Sequence, residues 1–191
     1  MEIHFLRHTP VHNPENRCYG KSDISLPDNY LEHFGRIKLD TDYDCVFSSP
    51  SERCTKIAEH FGLKYTIDQR ITELNFGDWE GKKWIEIPQN EIDPWYEDFV
   101  YYPTKNGESL YDLRLRVKEF IRTVKEEKHT KVLVITHAGV IRSAIQLVLD
   151  FPMKNFFLVD CQFGKKTIIA YQESGAKLIG ICLLYTSPSP R

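Results

Sequence analysis

Residues 132–135 read Val132-Leu133-Val134-Ile135, and His137 follows two residues later. Four consecutive aliphatic residues, three of them β-branched, are typical of a strand buried on both faces of a parallel sheet. A polar residue just after such a strand lies at the carboxyl edge of the sheet, where α/β proteins bind their ligands. The stretch therefore predicts a parallel sheet with His137 at its ligand-binding edge.

Two earlier strands carry polar residues to the same edge. The first is Ile3-His4-Phe5-Leu6, which is followed by Arg7 and His8. The second, residues 43–48, leads into a helix whose first turn presents Arg53. The sequence thus predicts two guanidinium groups and two imidazoles at one edge of the sheet.

The helix after residue 48 has clear start and stop signals. Ser49 is predicted as its N-cap, Pro50 as its first residue and Glu52 as its third. Gly62 is predicted to end it after about Phe61.

Other elements are predicted from periodicity. An amphipathic helix up to about residue 128 and a helix after Gly139 follow from helical spacing of apolar residues. The remaining strands are predicted at Phe156–Asp160, Thr167–Tyr171 and Lys177–Leu183. Strands that alternate with helices predict an α/β fold, and we expect a three-layer α/β/α sandwich with a mainly parallel central sheet.

The length of 191 residues predicts one domain, here residues 1–185, with residues 186–191 as a disordered tail. An aromatic-rich insertion is expected at about 82–106. Its aromatic residues are Trp84, Trp95, Tyr96, Phe99, Tyr101 and Tyr102.

Composition narrows the class of partner. Lys and Arg number 25 against 27 Asp and Glu, a net charge of −2, which gives no reason to expect nucleic acid or an anionic membrane as partner. The N-terminus has no signal-peptide pattern, and the five cysteines form no C-x-x-C pair, so we expect a cytoplasmic protein. A homodimer is compatible with these features.

The residues at the strand ends suit an anion, above all a phosphoryl group, which the N-terminus of the helix after residue 48 would also favour. A metal site is disfavoured because Arg7 and Arg53 would repel a cation and no H-x-H or H-E-x-x-H spacing is present. No G-x-S-x-G motif or matching cysteine loop supports a Ser or Cys nucleophile. Neutral histidine remains as the nucleophile.

Hydrolysis of a phosphomonoester also requires a proton donor for the departing alkoxide. The segment 71–81 contains three candidates, Glu73, Asp78 and Glu80. The residues alone do not distinguish among them, and the segment also fits a turn-rich surface loop with solvated acids.

Five motifs, in order, resemble those of the histidine phosphatase (phosphoglycerate mutase-like) superfamily. They are Arg7-His8-Thr9, the segment 48–58, Glu73 to Gly81 (ELNFGDWEG), Gly107-Glu108-Ser109 with Arg116-Val117, and His137-Ala138-Gly139. The resemblance implies a phosphoglycerate mutase-like fold, with His8 as the phosphorylated nucleophile and Glu73 as the proton donor. It implies that Arg7, Arg53 and His137 complete the phosphate pocket, that Asn13 and Gly20 also contact the substrate, and that catalysis uses no metal or other cofactor.

Thr9 stands where the superfamily usually has Gly, and with Cys18–Asp23 and the modest length it resembles the α-ribazole phosphatase branch. This resemblance implies a small-molecule phosphomonoester, α-ribazole 5′-phosphate of cobalamin nucleotide-loop assembly, as substrate. The aromatic residues between Trp84 and Tyr102 could stack on its base, or could only pack the insertion onto the domain. Other expectations are a broad-specificity sugar- or nucleotide-phosphate phosphatase and, less favoured, a phosphoglycerate mutase or a non-catalytic phospholigand-binding module.

Overall fold

The computed structural model describes residues 1–181 and contains a six-stranded sheet flanked by helices. The strands are β1 (Glu2–Arg7), β2 (Cys45–Ser48), β3 (Thr66–Ile67), β4 (Lys131–Thr136), β5 (Lys166–Gln172) and β6 (Gly175–Ile181). The helices are α1 (Tyr30–Gly35), α2 (Glu52–His60), α3 (Gln89–Glu97), α4 (Leu110–Glu126) and α5 (Ala138–Leu149). Short 3₁₀ helices lie at Gln69–Ile71, Gly77–Trp79, Trp84–Glu86 and Met153–Leu158.

The strand order is β3-β2-β4-β1-β5-β6. Strands β1 to β4 are parallel, whereas β5 runs antiparallel to β1, and β6 antiparallel to β5. The central strands β1 and β4 are in a register that pairs Leu6 with Ile135 and Arg7 with Thr136. His8 and His137 therefore leave neighbouring strands at the same edge of the sheet.

Strand β4 shows why its sequence has no polar alternation. Val132 and Val134 face the core formed with α4 and α5, and Leu133 and Ile135 face the core formed with α2 and Phe34 of α1. All four side chains are fully buried. The sheet is thus covered on both faces, and the predicted α/β/α sandwich with a mainly parallel sheet is confirmed.

Helix α4 follows the predicted amphipathic pattern. Ser109 caps it, its side chain accepting from the Asp112 amide while the Asp112 carboxylate accepts from the Ser109 amide. The residues predicted to form its apolar stripe are all buried, namely Leu110, Leu113, Val117, Ile121 and Val124.

The predicted strand Phe156–Asp160 is wrong, because this segment lies within and just after the 3₁₀ helix Met153–Leu158. Pro152, with φ of −56°, directs the chain into a helical turn that buries Phe156 and leaves Leu158 81% exposed. A short apolar run does not by itself separate a strand from such a turn.

The predicted start of α2 is also wrong. Ser51, not Ser49, occupies the N-cap position, and α2 begins at Glu52 and ends before Gly62, which has a φ of +62°. Ser49 lies two residues before this cap, and its hydroxyl instead contacts Nε2 of His137. Helix α5 was expected to begin after Gly139, but it begins at Ala138, one residue before this glycine.

The aromatic-rich insertion contains α3 and a small core of its own. Trp95 packs there with Trp79, Cys18 and Ile92, and Trp84 lies at the margin of this cluster. Tyr96, Tyr101 and Tyr102 are exposed. The predicted tail at 186–191, the boundary at 185 and the end of the last predicted strand lie outside the described residues. No helix within residues 1–181 has the length and apolar character to cross a membrane.

Candidate active site

His8 follows β1 directly and is 2% exposed. Its Nδ1 lies 2.7 Å from the carbonyl oxygen of Thr9. Because a carbonyl oxygen can only accept a hydrogen bond, Nδ1 carries the ring proton and the neutral imidazole keeps its lone pair on Nε2. The backbone thus selects the tautomer in which Nε2 is unprotonated.

Arg7 is held beside His8 by the segment before β5. One terminal nitrogen of its guanidinium donates to the Cys161 carbonyl, and the guanidinium carbon lies 3.6 Å from the centroid of the Phe163 ring. The same ring lies 5.4 Å from the His8 ring, centroid to centroid. Phe163 therefore fixes both side chains on one apolar surface.

Arg53 and His137 lie behind His8 and are both fully buried. The Nε of Arg53 donates to Nδ1 of His137 at 3.3 Å, and the His8 and His137 ring centroids are 5.2 Å apart. The terminal nitrogens of Arg53 donate to the carbonyls of Ser22 at 2.9 Å and Gly20 at 2.5 Å. Arg53 thus ties α2 to His137 and to the loop at residues 20–22.

Ser49 completes the environment of His137. Since Arg53 donates to Nδ1, the neutral ring carries its proton on Nε2, which lies 2.7 Å from the Ser49 hydroxyl oxygen. Both ring nitrogens of His137 therefore have partners within the protein. Nothing in the sequence pattern distinguished this role of Ser49 from a helix cap.

Glu73 is the only one of the three candidate acids that lines the cavity beside His8. Its carboxylate accepts from the amides of Leu74 at 2.9 Å and Gly139 at 3.1 Å. Asp78 is exposed and bonds Asn106. Glu80 instead organises a turn, accepting from three backbone amides, those of Lys21, Ser22 and Phe76.

The loop that carries Glu73 is held by an ion pair. Arg116 and Glu108 form two hydrogen bonds, of 2.6 and 3.0 Å. Arg116 also donates to the carbonyls of Arg70, Thr72 and Glu73, and Glu108 accepts from the Asn75 amide. Arg116 and Glu108 thus help to fix the position of Glu73.

These side chains surround a cavity of about 220 Å³. Its walls are formed by Arg7, His8, Tyr19, Glu73, Leu74, Phe76, Trp84, Leu110, Leu113, Ala138, Gly139, Arg142, Phe156 and Phe157. Arg53 and His137 support this cavity from behind and are not part of its walls. The five predicted residues are therefore gathered in one place, but only Arg7, His8 and Glu73 face the open space.

Asn13 and Gly20 also lie outside the cavity walls. The side chain of Asn13 bonds the amide and the carbonyl of Arg17, both at 2.9 Å, and so closes its own loop. Gly20 contributes its carbonyl to Arg53, and a Cβ there would lie 1.8 Å from the Leu74 carbonyl oxygen. Gly20 therefore allows the close approach of two backbones.

Three residues at the site, Tyr19, Arg142 and Phe163, were not predicted from the sequence. Tyr19 lies within the segment Cys18–Asp23, and Arg142 lies three residues after the motif His137-Ala138-Gly139. Their closeness to these motifs along the chain could have indicated that they belong to the site. Phe163 lies in a segment that no motif marks. Within residues 1–181, no group of three or more His, Cys, Asp or Glu side chains is arranged to hold a metal ion.

The two buried histidines predict a pH dependence of stability. Burial, together with the charges of Arg53 and Arg7, holds the pKa of His8 well below its usual value near 6.5. Burial and the charge of Arg53 do the same to the pKa of His137. Below about pH 6.5 the unfolded chain binds more protons than the folded one, so the free energy of unfolding falls by up to about 1.4 kcal/mol per pH unit for each histidine.

Urea unfolding at pH 5.5 and pH 7.5 measures this dependence. Wild type should be less stable at pH 5.5, and in His8→Asn the difference in unfolding free energy between the two pH values should be smaller by about 1.4 kcal/mol. Equal stability at both pH values would contradict the buried neutral state of these rings.

Gly139 leaves room for the Glu73 carboxylate. A Cβ at this position would lie 2.1 Å from Oε1 of Glu73. Gly139→Ala should therefore displace the Glu73 carboxylate. With the proton-donor role that the sequence resemblance implies for Glu73, this displacement should lower kcat on alkyl phosphates by about 100-fold, since misplacements of about 1 Å have such effects. The matched control is Gly35→Ala in α1, where a Cβ meets nothing within 4 Å. Unchanged kcat in Gly139→Ala, measured by steady-state assay beside Tm, would show that this contact has no role.

Comparisons with known proteins agree with this architecture. A sequence profile of the histidine phosphatase superfamily (branch 1) matches residues 3–182. Phosphoserine phosphatase 1 of Hydrogenobacter thermophilus is 26% identical over 185 residues, 91% of this chain and 88% of that protein. The crystal structure of the α-ribazole phosphatase from Shigella flexneri has the same fold, with a TM-score of 0.84 at 22% identity over 95% of this chain and 96% of that one.

A mycobacterial glucosyl-3-phosphoglycerate phosphatase also shares the fold, with a TM-score of 0.75 at 20% identity over 93% of this chain and 96% of that one. The family profile extends over nearly all of the residues that form the sheet and the cavity. The resemblance found in the sequence is thereby confirmed, and the chain belongs to the histidine phosphatase superfamily, branch 1.

Proposed function

We propose that this protein hydrolyses phosphomonoesters through a phosphohistidine formed at Nε2 of His8. The observation that carries the proposal is the hydrogen bond from Nδ1 of His8 to the Thr9 carbonyl, which leaves Nε2 unprotonated beside the cavity. The lowered pKa of His8 keeps that lone pair available at neutral and mildly acidic pH.

The reaction proceeds in two steps, phosphoryl transfer to His8 and hydrolysis of the phosphohistidine. Nε2 attacks phosphorus, the new P–N bond forms, and the bond from phosphorus to the alcohol oxygen breaks with its electron pair on that oxygen. Water then attacks phosphorus, the P–N bond breaks, and inorganic phosphate leaves. Arg7 faces the phosphoryl oxygens from the cavity wall, and Arg53 adds positive potential from behind, where the neutral ring of His137 accepts a hydrogen bond from it.

Glu73 is placed to move the protons of both steps. It lines the same cavity, and the amides of Leu74 and Gly139 orient its carboxyl group. In the first step it donates a proton to the alkoxide, and in the second it takes one from the attacking water. These steps need no metal, so activity should persist in EDTA, and loss of activity restored by Mg²⁺ would contradict this part of the proposal.

For the substrate, the aromatic surface supports α-ribazole 5′-phosphate. An aromatic slot of about 300 Å³, lined by Trp84, Trp95, Tyr96, Phe99 and Phe157, adjoins the catalytic cavity and shares Trp84 and Phe157 with it. A planar base attached to the phosphorylated sugar could stack on these rings. Stacking on the base is one of the two roles that the sequence left open for the aromatic residues between Trp84 and Tyr102.

A compact phosphorylated amino acid or hydroxy acid is the second candidate. The phosphoserine phosphatase of H. thermophilus supports it at 26% identity. Sugar and nucleotide phosphates form a third group of test substrates, which measures whether the specificity is broad. The ratio of kcat/KM across these three groups ranks the candidates, and α-ribazole 5′-phosphate at or below the median of the panel would exclude it.

Trapping the intermediate tests the chemistry independently of the natural substrate. Wild type mixed with a ³²P-labelled phosphomonoester and quenched in alkaline SDS should retain up to one label per chain. The label should survive base and be lost in acid, as a P–N bond requires. Turnover without any trapped label in a rapid quench would overturn the phosphohistidine proposal.

A further inference from the structure

Arg142 is a second cation in the catalytic cavity with no assigned role. It lies on α5, three and four residues after Gly139 and Ala138, and so on the same helix face as these two wall residues. Its side chain forms part of the wall together with Arg7, His8 and Glu73.

The guanidinium of Arg142 is held in place but not neutralised. Its Nε donates to the Val159 carbonyl at 2.8 Å, and its central carbon lies 5.7 Å from the Phe157 ring centroid. Within residues 1–181 its two terminal nitrogens donate no hydrogen bond and it forms no ion pair. Residues 182–191 contain no Asp or Glu that could supply one.

Two other partly buried arginines of this protein are neutralised by a carboxylate. Arg70 pairs with Asp68 and Arg116 pairs with Glu108, each at 2.6 Å. A half-buried cation without a counter-ion is unfavourable in a free protein, and it is often retained where a ligand supplies the anion. In the proposed reaction the phosphoryl group of the substrate is the anionic partner of Arg7. A different anionic group is therefore needed to neutralise Arg142.

We propose that Arg142 binds a carboxylate on the leaving group, so that the preferred substrates are phosphomonoesters of hydroxy acids or hydroxy amino acids. A guanidinium with both terminal nitrogens free forms two parallel hydrogen bonds with a carboxylate. This inference rests on the proposed phosphatase function and specifies the substrate class of the same site.

The size and charge of the cavity agree with such a substrate. Its volume of about 220 Å³ is below the range of about 300–1,000 Å³ typical of pockets for drug-sized ligands. Burial lowers the pKa of Arg7, and the charge of Arg142 lowers it further, whereas an anion bound between the two groups would offset both effects. α-Ribazole 5′-phosphate has no carboxylate, so Arg142 provides no advantage for it.

Two matched substrates isolate the carboxylate. O-Phosphoserine and O-phosphoethanolamine both carry an ammonium group and differ by the carboxylate alone. Wild type should prefer O-phosphoserine by at least about tenfold in kcat/KM, because charge-assisted hydrogen bonds have effects of this order. p-Nitrophenyl phosphate reports the chemistry of His8 without any carboxylate.

Arg142→Gln should lower the ratio of kcat/KM for O-phosphoserine to kcat/KM for O-phosphoethanolamine by about 10- to 100-fold. Arg142→Lys should lie between wild type and Arg142→Gln, because a lysine keeps the charge but not the paired hydrogen bonds. The matched control is Arg114→Gln, since Arg114 lies outside the cavity walls and bonds Gln146 at 2.6 Å. It should leave the substrate ratio unchanged.

The outcomes separate this inference from the proposed function. If wild type turns over p-nitrophenyl phosphate through a trapped phosphohistidine but does not prefer O-phosphoserine, the role of Arg142 is refuted and the phosphatase function stands. Equal losses on all three substrates in Arg142→Gln would likewise refute a carboxylate-specific role. No turnover and no phosphoenzyme with any substrate would refute the proposed function itself.

Discussion

His8→Ala should lose kcat by at least about 10⁴-fold on every phosphomonoester, because removing the nucleophile of a covalent mechanism eliminates its main reaction path. The loss should be independent of the leaving group, since the P–N bond must form whatever alcohol departs. Steady-state assays on p-nitrophenyl phosphate and on an alkyl phosphate measure it, and ³²P trapping should show no label on the variant.

The control for this variant is His12→Ala. His12 is exposed and lies outside the cavity walls, so its removal tests whether any nearby histidine affects the assay. It should retain wild-type kcat and the trapped label. A His8→Ala protein with wild-type turnover would refute covalent catalysis at this position, and a label that persists in His8→Ala would place the phosphoryl group elsewhere.

Glu73→Gln should have an effect that depends on the leaving group. On alkyl phosphates kcat should fall by about 10²- to 10⁴-fold, because the departing alkoxide needs a proton. On p-nitrophenyl phosphate the loss should be at most about tenfold when phosphoryl transfer to His8 limits the rate, because that leaving group departs without protonation. A single-turnover measurement of the first step on both substrates provides this comparison.

Two control variants address the acids that the sequence did not separate from Glu73. Asp78→Asn should leave both substrates unaffected, because Asp78 is exposed and bonds Asn106. Glu80→Gln should lower Tm, because its carboxylate holds three backbone amides, but it should change the two substrates equally. Equal losses on both substrates in Glu73→Gln would assign the proton transfer to another group.

Arg7 and His8 show how much of the site can be predicted from the sequence. Arg7 ends β1, His8 follows it directly and His137 follows β4, so a correct strand prediction was sufficient to place them at one edge of the sheet. Periodicity likewise predicted the buried face of α4 because that face depends on local spacing. The error at Ser49 arose because a contact with distant His137 decided its role, and the error at Phe156–Asp160 arose because Pro152 directs the chain into a helical turn.

The amino-acid sequence by itself determined the parallel sheet, the family and the grouping of Arg7, His8, Arg53 and His137, because these follow from patterns within single segments. The resemblance implied Glu73 rather than Asp78 or Glu80 as the proton donor, but only the tertiary structure decided that Glu73 lines the cavity and that Arg53 and His137 lie behind its wall. It also brought Arg142 to face the open space. These outcomes depend on side-chain contacts between segments that are far apart in the chain, and such contacts exist only after the sheet and its helices have packed.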